Sequence, residues 1–87
     1  MYEKEATIRK QVGLCARPAT FLIQKANEFK SSIWIEKDER RVNAKSLLGV
    51  LSLGVPREAT INIIADGTDE VEAVDTLCAL IDSDFAE

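Results

Sequence analysis

Residues 60–72 read Thr-Ile-Asn-Ile-Ile-Ala-Asp-Gly-Thr-Asp-Glu-Val-Glu, and this stretch decides the fold. The isoleucine-rich run Thr60–Ala65 predicts a strand, which the turn residues Asp66–Gly67 close. Asp69 and Glu72, three residues apart, resemble a capping box at the start of a helix. The stretch therefore predicts a strand that is followed directly by a helix.

The segment after this stretch carries apolar residues at helical spacing. They share one predicted helix face and are Val74, Leu77, Cys78, Ile81 and Phe85. A helix with one apolar face has to bury that face against another element. We therefore expect the last helix to pack on a sheet, with Cys78 in the core.

Upstream, the sequence alternates between strand and helix patterns. The predicted elements are a strand at Tyr2–Arg9, a helix at Ala16–Phe29 with Pro18 in its first turn, strands at Ser32–Lys37 and Arg40–Asn43 around the turn Asp38–Glu39, and a short helix at Ser46–Leu53 stopped by Gly54. The order β-α-β-β-α-β-α predicts an α+β domain in which three helices cover one face of a four-stranded, mainly antiparallel sheet.

Trp34 is predicted to lie on the opposite face of its strand from Ile33 and Ile35, because side chains alternate along a strand. Two interpretations are open for this side chain. It is either a single aromatic that is exposed or packed at an edge, or part of a binding surface.

Length and composition restrict the function classes. The 87 residues form one predicted domain, residues 1–87, which is too small for a deep cavity, so we expect function on a surface shared with a partner. A net charge of −4 argues against direct nucleic-acid binding. The chain has no histidine, two cysteines without a CxxC motif, and no run of about 20 apolar residues. We expect no metal site, no cofactor, no disulfide framework and no membrane span, and the start without an apolar signal region predicts a cytoplasmic protein.

The charges are unevenly distributed along the chain. Basic residues gather at Arg9–Lys10, Arg17 and Lys37–Lys45, whereas Asp66–Glu87 contains only acidic charges. This pattern indicates either a solvated surface with segregated signs or a docking face for an acidic partner.

A first motif occupies residues 13–19, Gly-Leu-Cys-Ala-Arg-Pro-Ala, where a loop enters the first helix. Free backbone N–H groups and the helix dipole favour an anion at such a position. Arg17 adds donors that suit a phosphate or carboxylate. The alternative is an ordinary helix start with an exposed arginine.

A second motif occupies residues 42–49, Val-Asn-Ala-Lys-Ser-Leu-Leu-Gly. Ser46 is predicted to be the N-cap of the short helix. A phosphate on Ser46 would be stabilised by the same N–H groups and by nearby positive charge. Leu47, Leu48 and Leu51 offer more apolar surface than so short a helix can bury. The motif therefore indicates either a plain helix cap or a phosphorylatable switch beside an apolar contact surface.

Both motifs resemble those of the HPr phosphocarrier family. Residues 13–19 are similar to its active-site loop and residues 43–54 to its regulatory serine helix, and the interval between them matches. The Ala-Asp-Gly-Thr-Asp-Glu step at residues 65–70 matches as well. The resemblance spans almost the whole chain and implies the open-faced β-sandwich of the family, whose element order is the one predicted above.

One position departs from the family pattern. In HPr the loop holds a histidine that takes phosphate from enzyme I of the sugar phosphotransferase system, and Cys15 stands there in this chain. The catabolite-repression HPr subgroup (Crh) also lacks the histidine and keeps the serine. The stretch from Glu36 to Ser46, and a large aromatic at Trp34, resemble that subgroup.

The resemblance implies a regulatory protein of carbon catabolite repression with no enzymatic activity of its own. HPr kinase/phosphorylase would phosphorylate Ser46, and the product would act as corepressor of a LacI-type repressor, catabolite control protein A, without touching DNA. The partner-binding residues would be Arg17, Leu47, Leu48 and Leu51. Arg17 would pair with the serine phosphate or with an acidic residue of the repressor.

Other functions of Cys15 are open. A cysteine at a helix N-terminus beside Arg17 should have a lowered pKa, so it could carry a phosphoryl group as a thiophosphate or act as a redox sensor. It could also be an inert replacement of the family's histidine. The alternative function is therefore that of a phosphocarrier of the sugar phosphotransferase system.

Overall fold

Strands and helices follow the predicted order, β-α-β-β-α-β-α. The structure is a computed structural model that describes residues 1–8, 16–54 and 58–83. Its elements are β1 (Tyr2–Thr7), α1 (Ala16–Ala26), β2 (Ser32–Lys37), β3 (Arg40–Asn43), α2 (Leu47–Leu53), β4 (Thr60–Asp66) and α3 (Glu70–Asp82).

The four strands form one sheet in the order β1-β4-β2-β3, and every neighbouring pair is antiparallel. The helices lie on one face of this sheet: α3 packs on β1 and β4, α2 packs on β3, and α1 contacts both other helices. This arrangement confirms the predicted fold class. It leaves the second face of the sheet open.

The core lies between the sheet and the helices. Side chains alternate along a strand, so every second residue of β2 and β4 faces the helices. Ile33, Ile35, Ile61 and Ile63 are almost fully buried in this way. The opposing helical residues are Leu22, Val50, Val74, Leu77 and Ile81. Cys78 belongs to the same cluster, as predicted, and its burial raises the pKa of the thiol.

Trp34 lies on the open face of the sheet and is half-buried. Its direct cross-strand partners are Asn43 on β3 and Ile64 on β4. Ile64 is buried even though it faces away from the helices. The guanidinium of Arg41 lies 5.9 Å from the centre of the indole ring, within the range of a cation–π contact. The prediction that Trp34 opposes Ile33 and Ile35 is confirmed.

α1 ends at Ala26, three residues before the predicted end at Phe29. The side chain of Asn27 donates to the Ile23 carbonyl at 2.9 Å, beside the backbone N–H of the same residue. The next two amides bond three residues back rather than four, which tightens the chain out of the α-helix. The prediction that the helix extends to Phe29 was therefore wrong, although Phe29 still packs against the core.

The capping box predicted from Asp69 and Glu72 is also wrong, because the Asp69 side chain does not cap the helix. Asp69 is the N-cap of α3 by position, but its carboxylate makes no cap hydrogen bond. It accepts instead from the hydroxyl and amide of Ser31 and from the amide of Lys30, and these bonds lower its pKa from 3.8 to about 2. Glu70, not Glu72, accepts a backbone bond, from the Gly67 amide at 3.1 Å. Phe85, placed on the same helix, lies outside the described residues.

Candidate functional site

α2 has only seven residues, and both of its ends are capped as predicted. Ser46 has extended backbone angles, and its Oγ accepts from the Gly49 amide at 3.2 Å. Gly54 adopts the left-handed conformation, with φ of 64°, and its amide bonds to the Leu51 carbonyl. Because isolated helices of this length are unstable in water, the caps and the packing of α2 define its position.

α2 has two apolar sides, one buried in the core and one exposed to solvent. Val50 and Leu53 are buried in the core and hold the helix on the domain. Leu47, Leu48 and Leu51 face outward, with 44%, 81% and 38% of their surface exposed. We call these three residues the leucine patch. It begins directly after Ser46, so the cap serine and an exposed apolar surface are neighbours.

Hydrogen bonds within the segment before α2, and from this segment to the chain after α1, fix its position. The side-chain oxygen of Asn43 accepts from the Lys45 amide at 2.8 Å, and the Ser46 amide bonds to the Asn43 carbonyl at 3.2 Å. The Lys45 ammonium donates to the Phe29 carbonyl at 2.8 Å. The start of α2 therefore lies beside the segment that follows α1. Lys45 is an anchor that the sequence motif does not identify, because its carbonyl partner is 16 residues away.

Arg17 belongs to the first turn of α1, at the other end of that helix from Phe29. With a rise of 1.5 Å per residue, the nine steps from Arg17 to Ala26 span about 13.5 Å. The structure therefore brings Ser46 and the leucine patch together but places the backbone of Arg17 at the far end of α1. Pro18 lies in the first turn, as predicted, and is buried. Cys15 and the side chain of Arg17 lie outside the described residues.

Within residues 1–8, 16–54 and 58–83, no helix has the length and apolar character needed to span a bilayer. In the same part of the chain, no group of three or more His, Cys, Asp or Glu side chains could hold a metal ion.

Comparison with known proteins gives a consistent relationship over the whole chain. Residues 2–83 match the family described as "PTS HPr component phosphorylation site". The HPr-like protein Crh of Halalkalibacterium halodurans is 45% identical over 84 residues, which cover 97% of this chain and 100% of that protein. The HPr-like protein Crh of Bacillus subtilis is 42% identical over 81 residues, covering 93% of this chain and 95% of the relative.

The fold agrees with this relationship. The crystal structure of HPr-C-His from Thermoanaerobacter tengcongensis superposes with a TM-score of 0.96 and 46% sequence identity. The superposition covers 100% of this chain and 98% of that one. The chain therefore belongs to the HPr family and is homologous to its HPr-like Crh proteins.

Proposed function

We propose that this protein is a regulator of carbon catabolite repression, phosphorylated on Ser46 by HPr kinase/phosphorylase and then bound by a LacI-type repressor, catabolite control protein A. The observation that carries the proposal is the position of Ser46, the N-cap of a short helix whose next residues form the leucine patch. In this role the protein is a cytoplasmic binding partner rather than an enzyme.

The environment of Ser46 suits a phosphate. The serine is half-buried, and its Oγ accepts one hydrogen bond, from the Gly49 amide. A phosphate oxygen can accept the same bond, so modification would preserve the cap while adding a charge of about −1.5 to −2. Phosphorylation would thus change the charge beside the leucine patch without unfolding α2.

The positions of Arg17 and Lys45 bear on how the phosphorylated form would meet the repressor. Lys45 donates to Phe29, and Arg17 begins α1 at its opposite end. Arg17 would pair either with the phosphate of Ser46 or with an acidic residue of the repressor. The leucine patch would pack on the repressor. With a net charge of −4, the protein would act on DNA only through the repressor.

Incubation with HPr kinase/phosphorylase and ATP should add one phosphoryl group, and Ser46→Ala should abolish this addition. Intact-protein mass spectrometry measures it. Ser52→Ala is the matched control, because Ser52 belongs to the same helix and its hydroxyl bonds within that helix, to the Gly49 carbonyl. Labelling of Ser46→Ala at the rate of the parent protein would overturn the assignment of the site.

The alternative function is a phosphocarrier of the sugar phosphotransferase system that uses Cys15. The family match, described by its phosphorylation site, favours this candidate. Transfer from enzyme I, however, requires the family's nitrogen nucleophile, and the chain contains no histidine. The regulatory function needs no nucleophile in the loop and is therefore the better supported of the two.

Enzyme I with phosphoenolpyruvate should leave the protein unmodified, whereas Cys15→His should create an acceptor. The expected gain follows from the retained Arg17 and Pro18 at the start of α1, where backbone N–H groups favour an anion. Mass spectrometry again provides the measurement. A phosphorylated species of the parent protein that disappears in Cys15→Ser would establish the carrier function and refute this prediction.

A further inference from the structure

A groove of about 160 Å³ opens between the segment after α1 and the segment before α2. Its lining includes Lys30, Ser31, Ser32, Trp34, Asn43 and Lys45. Trp34 and Asn43 are direct cross-strand partners, so the indole ring and the amide stand side by side on the open face of the sheet. The groove is separate from the leucine patch.

The polar side chains of this groove are mainly hydrogen-bond donors. The two lysines, the Ser32 hydroxyl, the asparagine amide and the indole N–H can all donate. Among the described residues, no Asp or Glu lines the groove. The carboxylate of Asp69 accepts hydrogen bonds from Ser31 and from the Lys30 amide and stays charged at neutral pH, so the two lysine ammonium groups have to outweigh one negative charge. Such a lining suits an anion.

Several of these donors are held in place before any ligand arrives. The Lys45 ammonium uses one of its three N–H groups on the Phe29 carbonyl at 2.8 Å and retains two. The Asn43 side-chain oxygen is occupied by the Lys45 amide, which leaves its NH₂ group as the available donor. Ser31 is buried and already donates to Asp69, so it shapes the groove without offering a free donor. A preorganised lining reduces the entropy that a ligand has to overcome.

We propose that this groove binds a small phosphate monoester, with its phosphoryl group between the ammonium groups of Lys30 and Lys45 and its carbon skeleton against Trp34. A phosphate monoester carries a charge of about −1.5 to −2 at neutral pH, which two ammonium groups match. The groove is smaller than the roughly 300–1,000 Å³ of pockets for drug-sized ligands, so the skeleton has to be short. This site goes beyond the serine switch and does not depend on it.

Trp34 provides the readout, because it is the only tryptophan in the chain. The full-length protein would be titrated with glycerol 3-phosphate, inorganic phosphate and glycerol, each at constant ionic strength, and with potassium chloride. We expect a saturable change in Trp34 fluorescence with glycerol 3-phosphate, a weaker response to inorganic phosphate, and none with glycerol or the chloride. An equal response to both phosphates would overturn the assignment of an ester, and a response to chloride would overturn the site.

Lys30→Gln tests the position of the site, because Lys30 is exposed and its replacement leaves the core intact. The variant should bind glycerol 3-phosphate about tenfold more weakly or worse, since a bond between charged groups is stronger than one between neutral groups. Lys25→Gln is the matched control, because Lys25 lies on α1 and pairs with Glu28 at 3.5 Å. Unchanged affinity in Lys30→Gln, or equal loss in both variants, would refute the proposal.

Discussion

Leu48→Ala, introduced into the Ser46-phosphorylated protein, should weaken its complex with the LacI-type repressor about tenfold or more. Leu48 is the most exposed member of the leucine patch, at 81%, so its truncation removes contact area without opening the core. Loss of a well-buried apolar or arginine anchor typically costs about 1–4 kcal/mol of binding, and 1.4 kcal/mol is a factor of ten. Leu47→Ala and Arg17→Ala should have comparable effects. Calorimetric titration of both phosphorylation states against the repressor measures them.

Val71→Ala is the control for this experiment. Val71 is also an exposed apolar residue, at 49%, but it belongs to α3, which packs on β1 and β4 rather than on β3. Its truncation should leave the affinity unchanged. Equal affinity of the phosphorylated and unphosphorylated proteins would exclude the switch. Unchanged affinity in the Leu47, Leu48 and Arg17 variants together would place the interface on another surface.

Gly67→Ala should lower the free energy of unfolding by about 3 kcal/mol, the upper end of the usual cost of overpacking. A Cβ on Gly67 would lie 2.5 Å from the Ser31 hydroxyl oxygen and 2.7 Å from the Ser31 Cα. The second of these neighbours is backbone, so rotation of a side chain cannot relieve the clash. The turn would have to move away from Ser31, which also disturbs the bonds that Asp69 makes there.

Gly54→Ala is the control that measures the conformational effect of losing a glycine without a steric clash. Gly54 has φ of 64°, and a Cβ there would meet nothing within 4 Å. The expected cost is therefore that of a left-handed alanine alone, about 1 kcal/mol. Urea unfolding followed by Trp34 fluorescence and circular dichroism would compare the two variants. If Gly67→Ala is no more destabilising than Gly54→Ala, the close approach to Ser31 does not limit the turn.

The parts of the fold that follow from local patterns could be predicted from the sequence. Alternation in Ser32–Lys37, the helical apolar spacing in α3, and the serine and glycine at the ends of α2 each act within a few residues. The carboxylate of Asp69 could not be placed in this way. Its spacing to Glu72 suits a capping box, but donors 38 and 39 residues earlier in the chain compete for the same oxygens. Only the tertiary fold brings those donors to it.

In the candidate site, too, some features follow from the local sequence and others only from the tertiary fold. The position of Ser46 at the start of a helix and the excess of apolar surface beside it are local properties of the sequence. The burial of Val50 and Leu53 is not a local property. Because α2 is apolar on nearly every side, the spacing of its apolar residues does not show which side is buried. Packing against α1 and β3 makes that choice. The placement of Lys45 on the Phe29 carbonyl depends on the same packing.

The bond from the Lys45 ammonium to the Phe29 carbonyl has a consequence for local unfolding. It fastens the chain, one residue before the serine, to the segment that follows α1, while the Ala44 amide donates to the Ile33 carbonyl of the sheet at 2.9 Å. We therefore expect local opening of α2 to stop at this point and to leave the strands paired. If Ser46 is phosphorylated as proposed, the serine and the first turn of α2 could therefore open toward the modifying enzyme while the sheet stays intact.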